Sequence, residues 1–148
     1  MTVALSVKDT ASKLEARFSG SVISSADTSL LVKGDQLAQI ASFLKSEPGL
    51  EFDYLNSIIG TDYWYYFEVV YILTSLKHNH GLVLKTRCYG RENLKLPSVV
   101  SVWRGADFQE REIYDLLGIS FEGHPNMKRI VTWEGFPGHP LRRDFLEW

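Results

Sequence analysis

The sequence predicts an α+β fold, a two-layer sandwich of a mostly antiparallel sheet with helices, followed by an extended C-terminal arm. Three observations predict it. Apolar residues recur at helical spacing in three separate segments, the middle of the chain holds β-forming runs joined by a tight turn, and residues 123–148 show neither period. Ser6 followed by Asp9 caps a first helix with Ala11, Leu14 and Phe18 about a turn apart, ending before Gly20. Ser29 to Lys33 reads as a short strand. Gly34-Asp35 then starts a second helix, with Leu37, Ile40, Ala41 and Leu44 on one stripe, which Pro48-Gly49 stops.

Phe52 to Gly60 is rich in aromatic and β-branched residues, and Trp64 to Leu76 is a longer β-forming run, apolar in both alternating phases. The second run is expected to be covered on both faces. After the turn His78-Asn79-His80-Gly81, Leu82 to Tyr89 alternates Leu82, Leu84, Thr86 and Cys88 with a wetter set, as in a hairpin partner. Residues 90–105 are a connector with one short apolar piece. Asp107 with Glu110 forms a capping box for a third helix, whose Ile113, Leu116 and Leu117 share a stripe and which ends at Gly118. The element order α-β-α-β-β-β-α separates helices from a central antiparallel run, unlike a doubly wound sheet.

With 148 residues, 45% of them hydrophobic, the chain suits one domain with an arm, divided at 1–122 and 123–148. A globule of this length buries about two-thirds of its unfolded surface, enough for a core without disulfides. The 16 Lys and Arg against 18 Asp and Glu give a net charge of −2, so nucleic acid is not an expected partner. No apolar run reaches the roughly 18 to 20 residues of a membrane span. Cys88 is the single cysteine, and the N-terminus has no basic segment leading into an apolar one, so the cytoplasm is the expected compartment.

Residues 123–148 hold three Gly, three Pro, two Trp and two Phe. Such a segment cannot cover its own apolar side chains. Residues 107–122 carry five acids against one Arg, whereas 123–148 carry four Lys or Arg against three acids. The tail therefore either folds back on the acidic helix or lies across another protein, and its Trp, Met and Arg are residue types enriched in interfaces.

A search for chemistry finds little. His78 and His80 are two apart in a turn without an acid or Cys at ligand spacing, and read as solvated. His124 and His139 each precede a proline and suit backbone hydrogen bonds to a partner. Glu110 and Glu112 face different sides of a helix and cannot work as an acid and base pair, while Asp107 and Arg111 are spaced for a surface ion pair. Cys88 reads as a buried structural thiol. The aromatic run Tyr63 to Tyr66 lacks a basic surround and reads as core or interface packing. No phosphate loop, CxxC or serine elbow occurs.

The run from Glu110 to Gly118 (EREIYDLLG), then Phe121-Glu122-Gly123-His124-Pro125 and Lys128-Arg129-Ile130, resembles the signature of the 30 kDa, or C-type, subunit of bacterial NADH:quinone oxidoreductase, respiratory complex I. Trp133-Glu134-Gly135 and Gly138-His139-Pro140-Leu141-Arg142-Arg143-Asp144-Phe145 resemble that family's close. Phe67 to Tyr71, Ser75-Leu76, Pro97-Ser98-Val99 and Trp103 also look like its landmarks, so the match covers about residues 50–148.

The resemblance implies a non-catalytic peripheral-arm subunit with no cofactor of its own, the iron–sulfur clusters and quinone belonging to partner subunits. Its expected partners are the large hydrogenase-like quinone-site subunit (the D-type) and neighbouring iron–sulfur subunits. Membrane attachment on the cytoplasmic side is expected only through the complex. Equivalent subunits serve ferredoxin- or F420-linked dehydrogenases and membrane-bound hydrogenases, which is the alternative setting. The residues expected to make partner or network contacts are Glu110, Arg111, Glu112, Asp115, His124, Arg129, Arg142, Arg143 and Asp144, with Trp133 and Phe145 as apolar anchors.

Overall fold

A computed structural model describes residues 3–4 and 6–145. Strand β1 (Val3–Ala4) precedes helix α1 (Val7–Arg17), then come β2 (Val22–Ser25) and β3 (Ser29–Val32). A 3-10 turn at Gly34–Gln36 leads into α2 (Leu37–Ser46). The long strands β4 (Tyr54–Asp62), β5 (Tyr66–Ser75) and β6 (His80–Tyr89) follow, and β7 (Lys95–Pro97), α3 (Ala106–Leu117) and β8 (Ser120–Glu122) complete the fold.

The main sheet runs β2-β3-β6-β5-β4, with β1 beside β6. Pairing is antiparallel except where β6 meets β1 and β3, so the fold is α+β with a mixed, mostly antiparallel sheet. The stripe Leu37, Ile40, Ala41 and Leu44 is buried, as the helical spacing requires. It joins Leu14, Leu30, Phe52, Tyr71 and Leu84 in one apolar core. On β6 the alternation holds, with Leu82, Leu84, Thr86 and Cys88 buried and Val83, Lys85 and Arg87 half-buried. Burial pushes the Cys88 thiol up to about 11, so it stays a protonated core side chain.

Several expectations need correction. β5 is not covered on both faces: Phe67, Val69, Tyr71 and Leu73 are buried, while Tyr66, Val70, Ile72 and Thr74 are half-buried, because the helices reach only one side. His80 is not a solvated turn residue. The turn ends at Asn79, and His80 opens β6 with its Nε2 2.9 Å from the Leu50 carbonyl oxygen and its ring 5.0 Å from that of Phe52. His78 stacks on it and lies 2.9 Å from Glu51 Oε1; His78 and Lys77 hold the Glu51 carboxyl down at about 2. Strands β1, β2, β7 and β8 have no counterpart in the sequence reading.

The third helix begins differently from the capping-box expectation. Its N-cap is Gly105, which lacks a side-chain cap, and Asp107 already lies inside the first turn. Glu110 does not turn back to Asp107 because its carboxylate is used by the β7–α3 loop. The helix ends as expected at Gly118, with φ +81°.

Residues 123–145 contain no helix or strand. They do not stand away from the domain as a free arm. Polar contacts hold them along α3, since an irregular backbone must find acceptors and donors outside itself.

Candidate functional site

The shared surface of α3 and the tail is organised by Asp115. Its side chain is buried on α3, and Oδ2 accepts the backbone N–H groups of Ile130, Val131 and Thr132 at 3.0, 2.7 and 2.8 Å. Oδ1 accepts from the Thr132 hydroxyl and from Arg129 Nη1, the latter at 2.9 Å. Burial alone would raise this carboxyl, but the Thr132 hydroxyl and the converging N–H groups outweigh it and hold the acid well below the carboxylate range. Arg129 also donates to the Thr132 hydroxyl and the Gly138 carbonyl oxygen and faces the Phe136 ring.

Further clamps run along the helix. Arg111 donates to the carbonyl oxygens of Lys128 and Arg129, both at 3.0 Å, and not to Asp107 as its spacing suggested. Asp107 instead meets the buried imidazole of His124, whose Nε2 lies 3.0 Å from both the Asp107 carbonyl oxygen and Oδ1, with the hydrogen bond directed at the carbonyl. His124 Nδ1 accepts the Asn126 N–H at 2.9 Å, so Nε2 is the ring nitrogen that faces Asp107. His139 Nδ1 lies 2.9 Å from the Asp115 carbonyl oxygen, and burial lowers its pKa from 6.5. Both proline-preceding histidines thus bond backbone of their own chain. Arg142 caps the helix C-terminus, donating from Nε to Leu117 at 2.6 Å and from Nη1 to Arg91 at 3.0 Å, both to carbonyl oxygens.

Glu110 faces the opposite way from Glu112, as their spacing requires. It is fully buried, accepting from Ser98 Oγ at 2.6 Å and the Val99 N–H at 2.8 Å, with Tyr71 nearby, and burial raises its pKa. Glu112 is exposed and borders an apolar crevice lined by Ile58, Gly60, Ile113, Leu117 and Leu141.

A second cluster ties the tail's end to the sheet. Arg91 grips Asp62 through both nitrogens at 2.6 and 2.8 Å and reaches Asp144 at 3.0 Å. Asp62 also accepts the Arg143 N–H at 2.9 Å, and its carboxyl is held well below the usual range, chiefly by Arg91. Sequence reasoning missed Asp62, Arg91 and Thr132 and gave Ser98 only as a family landmark without a role. Of the three missed, Asp62, an acid opening an aromatic turn, carries a local signal.

While the tail's polar groups turn inward, much of its apolar surface turns outward. Trp133 is 67% exposed, Val131 63% and Leu141 60%. Phe136 lies beneath, edge-on to Trp133 and stacked with Phe145 at 6.0 Å. Among the described residues no group of three or more His, Cys, Asp or Glu could hold a metal ion.

The fold and this surface define a small α+β module in which Asp62, Asp115, Arg129 and Arg142 are spent on internal clamps and whose tail presents apolar side chains. The chain belongs to the respiratory-chain NADH dehydrogenase 30 kDa subunit family, whose model matches residues 30–147. It is 45% identical over 117 residues to the second C-type subunit of NADH-quinone oxidoreductase from Rhizobium meliloti (strain 1021), covering 77% of this chain and 63% of that protein. It is 39% identical over 146 residues to the C-type subunit of the same enzyme from Xanthobacter autotrophicus, covering 94% and 69%. Against the mitochondrial NADH dehydrogenase [ubiquinone] iron-sulfur protein 3 of Candida albicans, identity is 43% over 106 residues, 70% of this chain and 37% of that one. The chain thus spans less than two-thirds of the Rhizobium relative. A chain of the membrane-bound sulfane sulfur reductase, an archaeal respiratory membrane complex, shares the fold with a TM-score of 0.75 and 19% identity, covering 93% of this chain and 84% of that one.

Proposed function

We propose that this chain is a non-catalytic peripheral subunit of a complex-I-type NADH:quinone oxidoreductase, docked on the large hydrogenase-like quinone-site subunit. One observation carries the reading beyond family membership: Asp115 fixes residues 130–132 by their backbone, so that Val131 and Trp133 face outward on a rigid mount. An interface anchored on a preorganised aromatic residue loses little side-chain entropy on binding.

The contribution of such a subunit is position. Electron transfer and quinone binding both depend on distances held by a supporting shell, and a clamp across the large subunit supplies that support. Iron–sulfur clusters and quinone belong to the partners in this reading. No helix among the described residues is long and apolar enough to cross a membrane, and attachment to the cytoplasmic side comes through the complex.

The test replaces Val131 and Trp133 together by Ser and purifies the assembled complex. Both side chains are exposed, so the isolated chain keeps its unfolding midpoint, while the complex loses this subunit and its quinone reductase rate falls. An intact complex with an unchanged rate removes the tail from the docking surface.

A further inference from the structure

The aromatic run Tyr63 to Tyr66 forms the turn between β4 and β5, and its backbone is held where a large side chain is costly. Trp64 has φ +72°, the left-handed region that a non-glycine residue rarely adopts. Asp62 sustains it: Oδ1 accepts the Trp64 N–H at 2.8 Å, while the Tyr63 N–H donates to the Tyr66 carbonyl oxygen at 2.9 Å. The result is an aromatic tip, with Tyr63 and Trp64 about half exposed and Tyr65 87% exposed. A turn that only reversed the chain would be served by Asn or Gly.

The same carboxylate joins the tip to the tail. Asp62 accepts the Arg143 N–H; Arg91 bridges Asp62 and Asp144, and its guanidinium carbon lies 5.4 Å from the centre of a Trp64 ring. Among the described residues, Arg91, Arg142 and Arg143 lie beside two carboxylates, Asp62 and Asp144. Arg142 donates to two carbonyl oxygens and lies 5.2 Å from the centre of the Phe67 ring, and among the described residues the Arg143 guanidinium meets no carboxylate.

We propose that the Tyr63-Trp64-Tyr65 tip is a second docking element, which binds the same companion subunit as the tail through an apolar depression bearing a carboxylate opposite Arg143. This rests on the docking reading of the tail. Two features select the occupant. Asp62 makes the tip continuous with the tail, so one rigid partner surface meets both, and the exposed Arg143 beside the tip is matched by an acidic complement. Tyr and Trp are the residue types that dominate interface energies, and this strained turn displays them outward, Tyr65 most of all.

The experiment is photo-crosslinking in the purified, assembled complex, with Tyr65→p-benzoylphenylalanine in one preparation and Trp133→p-benzoylphenylalanine in another, and crosslinked chains identified by mass spectrometry. The expected result is capture of the same subunit from both positions. Capture from position 133 but not from 65, or capture of a different subunit or of lipid from 65, overturns the tip proposal and leaves the tail reading standing. Failure at both positions overturns the tail reading itself. As a second measurement, Trp64→Ser with Tyr65→Ser is expected to weaken retention of the chain in the complex by about tenfold or more. Arg143→Glu is expected to weaken it further at low salt than at high salt. Retention unchanged in both variants counts against the proposal.

Discussion

The Asp115 carboxylate accepts the Thr132 backbone N–H at 2.8 Å across seventeen residues of chain, and the same oxygen serves the two preceding N–H groups. A single helical acid therefore organises a segment with no secondary structure of its own. Asp115→Asn keeps the shape but presents an amide where donors converge and leaves Arg129 without its counterion. The expected loss is about 2 to 4 kcal/mol, since breaking a buried charge pair strands its partners. Urea unfolding measures it. The folded Asp115 pKa lies below the unfolded value, so its contribution is complete above that unfolded value, about 4, and is lost as the pH falls through the folded pKa. The Asn variant loses that part of the acid dependence; a variant as stable and as acid-sensitive as wild type would remove Asp115 from this role.

Glu110 carries the opposite sign. Burial raises its pKa, and no Lys or Arg appears among the groups that shift it, so the charged form is disfavoured and lowering the pH from neutral favours the folded state through this group. Glu110→Gln removes that gain and stays within about 1 kcal/mol at pH 7, because Ser98 Oγ can reverse its hydrogen bond. Glu110→Ala leaves a cavity and an unpaired Val99 N–H, at about 2 to 4 kcal/mol. Chemical denaturation of the two variants at pH 5 and pH 7 separates these outcomes.

Gly118 is a residue whose role the sequence made visible. Its φ of +81° ends α3, and a Cβ there would lie 2.6 Å from Arg142 Nη2 and 2.7 Å from the His139 ring. Gly118→Ala thus meets backbone strain and the tail together, for an expected cost of about 2 kcal/mol or more. Gly118→Asn, which tolerates the left-handed backbone, relieves the strain but keeps the clash. If both variants match wild type in thermal unfolding, the tail is not seated against this turn.

The legible parts of the fold are those set by local period. The α2 stripe and the alternation along β6 follow from burying one face, and Gly118 follows from the geometry of a helix end. The coverage of β5 does not follow from its sequence, because its outward Val70 and Ile72 are apolar yet only half covered. Strands β7 and β8 are three residues each and pair across more than twenty residues of chain, which leaves no period to see. The resemblance picked out Asp115 and Arg129, but their partners are backbone N–H and carbonyl groups that every sequence carries. Asp107 and Arg111 had the right spacing for each other, and the tail supplied better-placed partners, His124 for one and two carbonyl oxygens for the other.

Those tail contacts give His139 a measurable signature. His139 is half-buried against α3 with the Arg142 and Arg129 charges nearby, and this burial with those charges lowers its pKa from 6.5 despite the Asp115 carbonyl oxygen. Because the folded pKa is depressed, the neutral ring's contribution is fully present above the unfolded value and is lost as the pH falls through the folded one. Acidification below pH 6.5 is therefore expected to loosen the tail before the sheet. Amide exchange at Ile130, Val131 and Thr132 should accelerate between pH 6.5 and pH 5, after correction for intrinsic rates, while β5 and β6 stay protected. His139→Asn supplies a control: an amide that keeps the bond to the Asp115 carbonyl oxygen leaves this acceleration smaller. A His139 midpoint above 6.5 by NMR titration, or tail and sheet exchange that change together, would show that this ring does not fasten the tail.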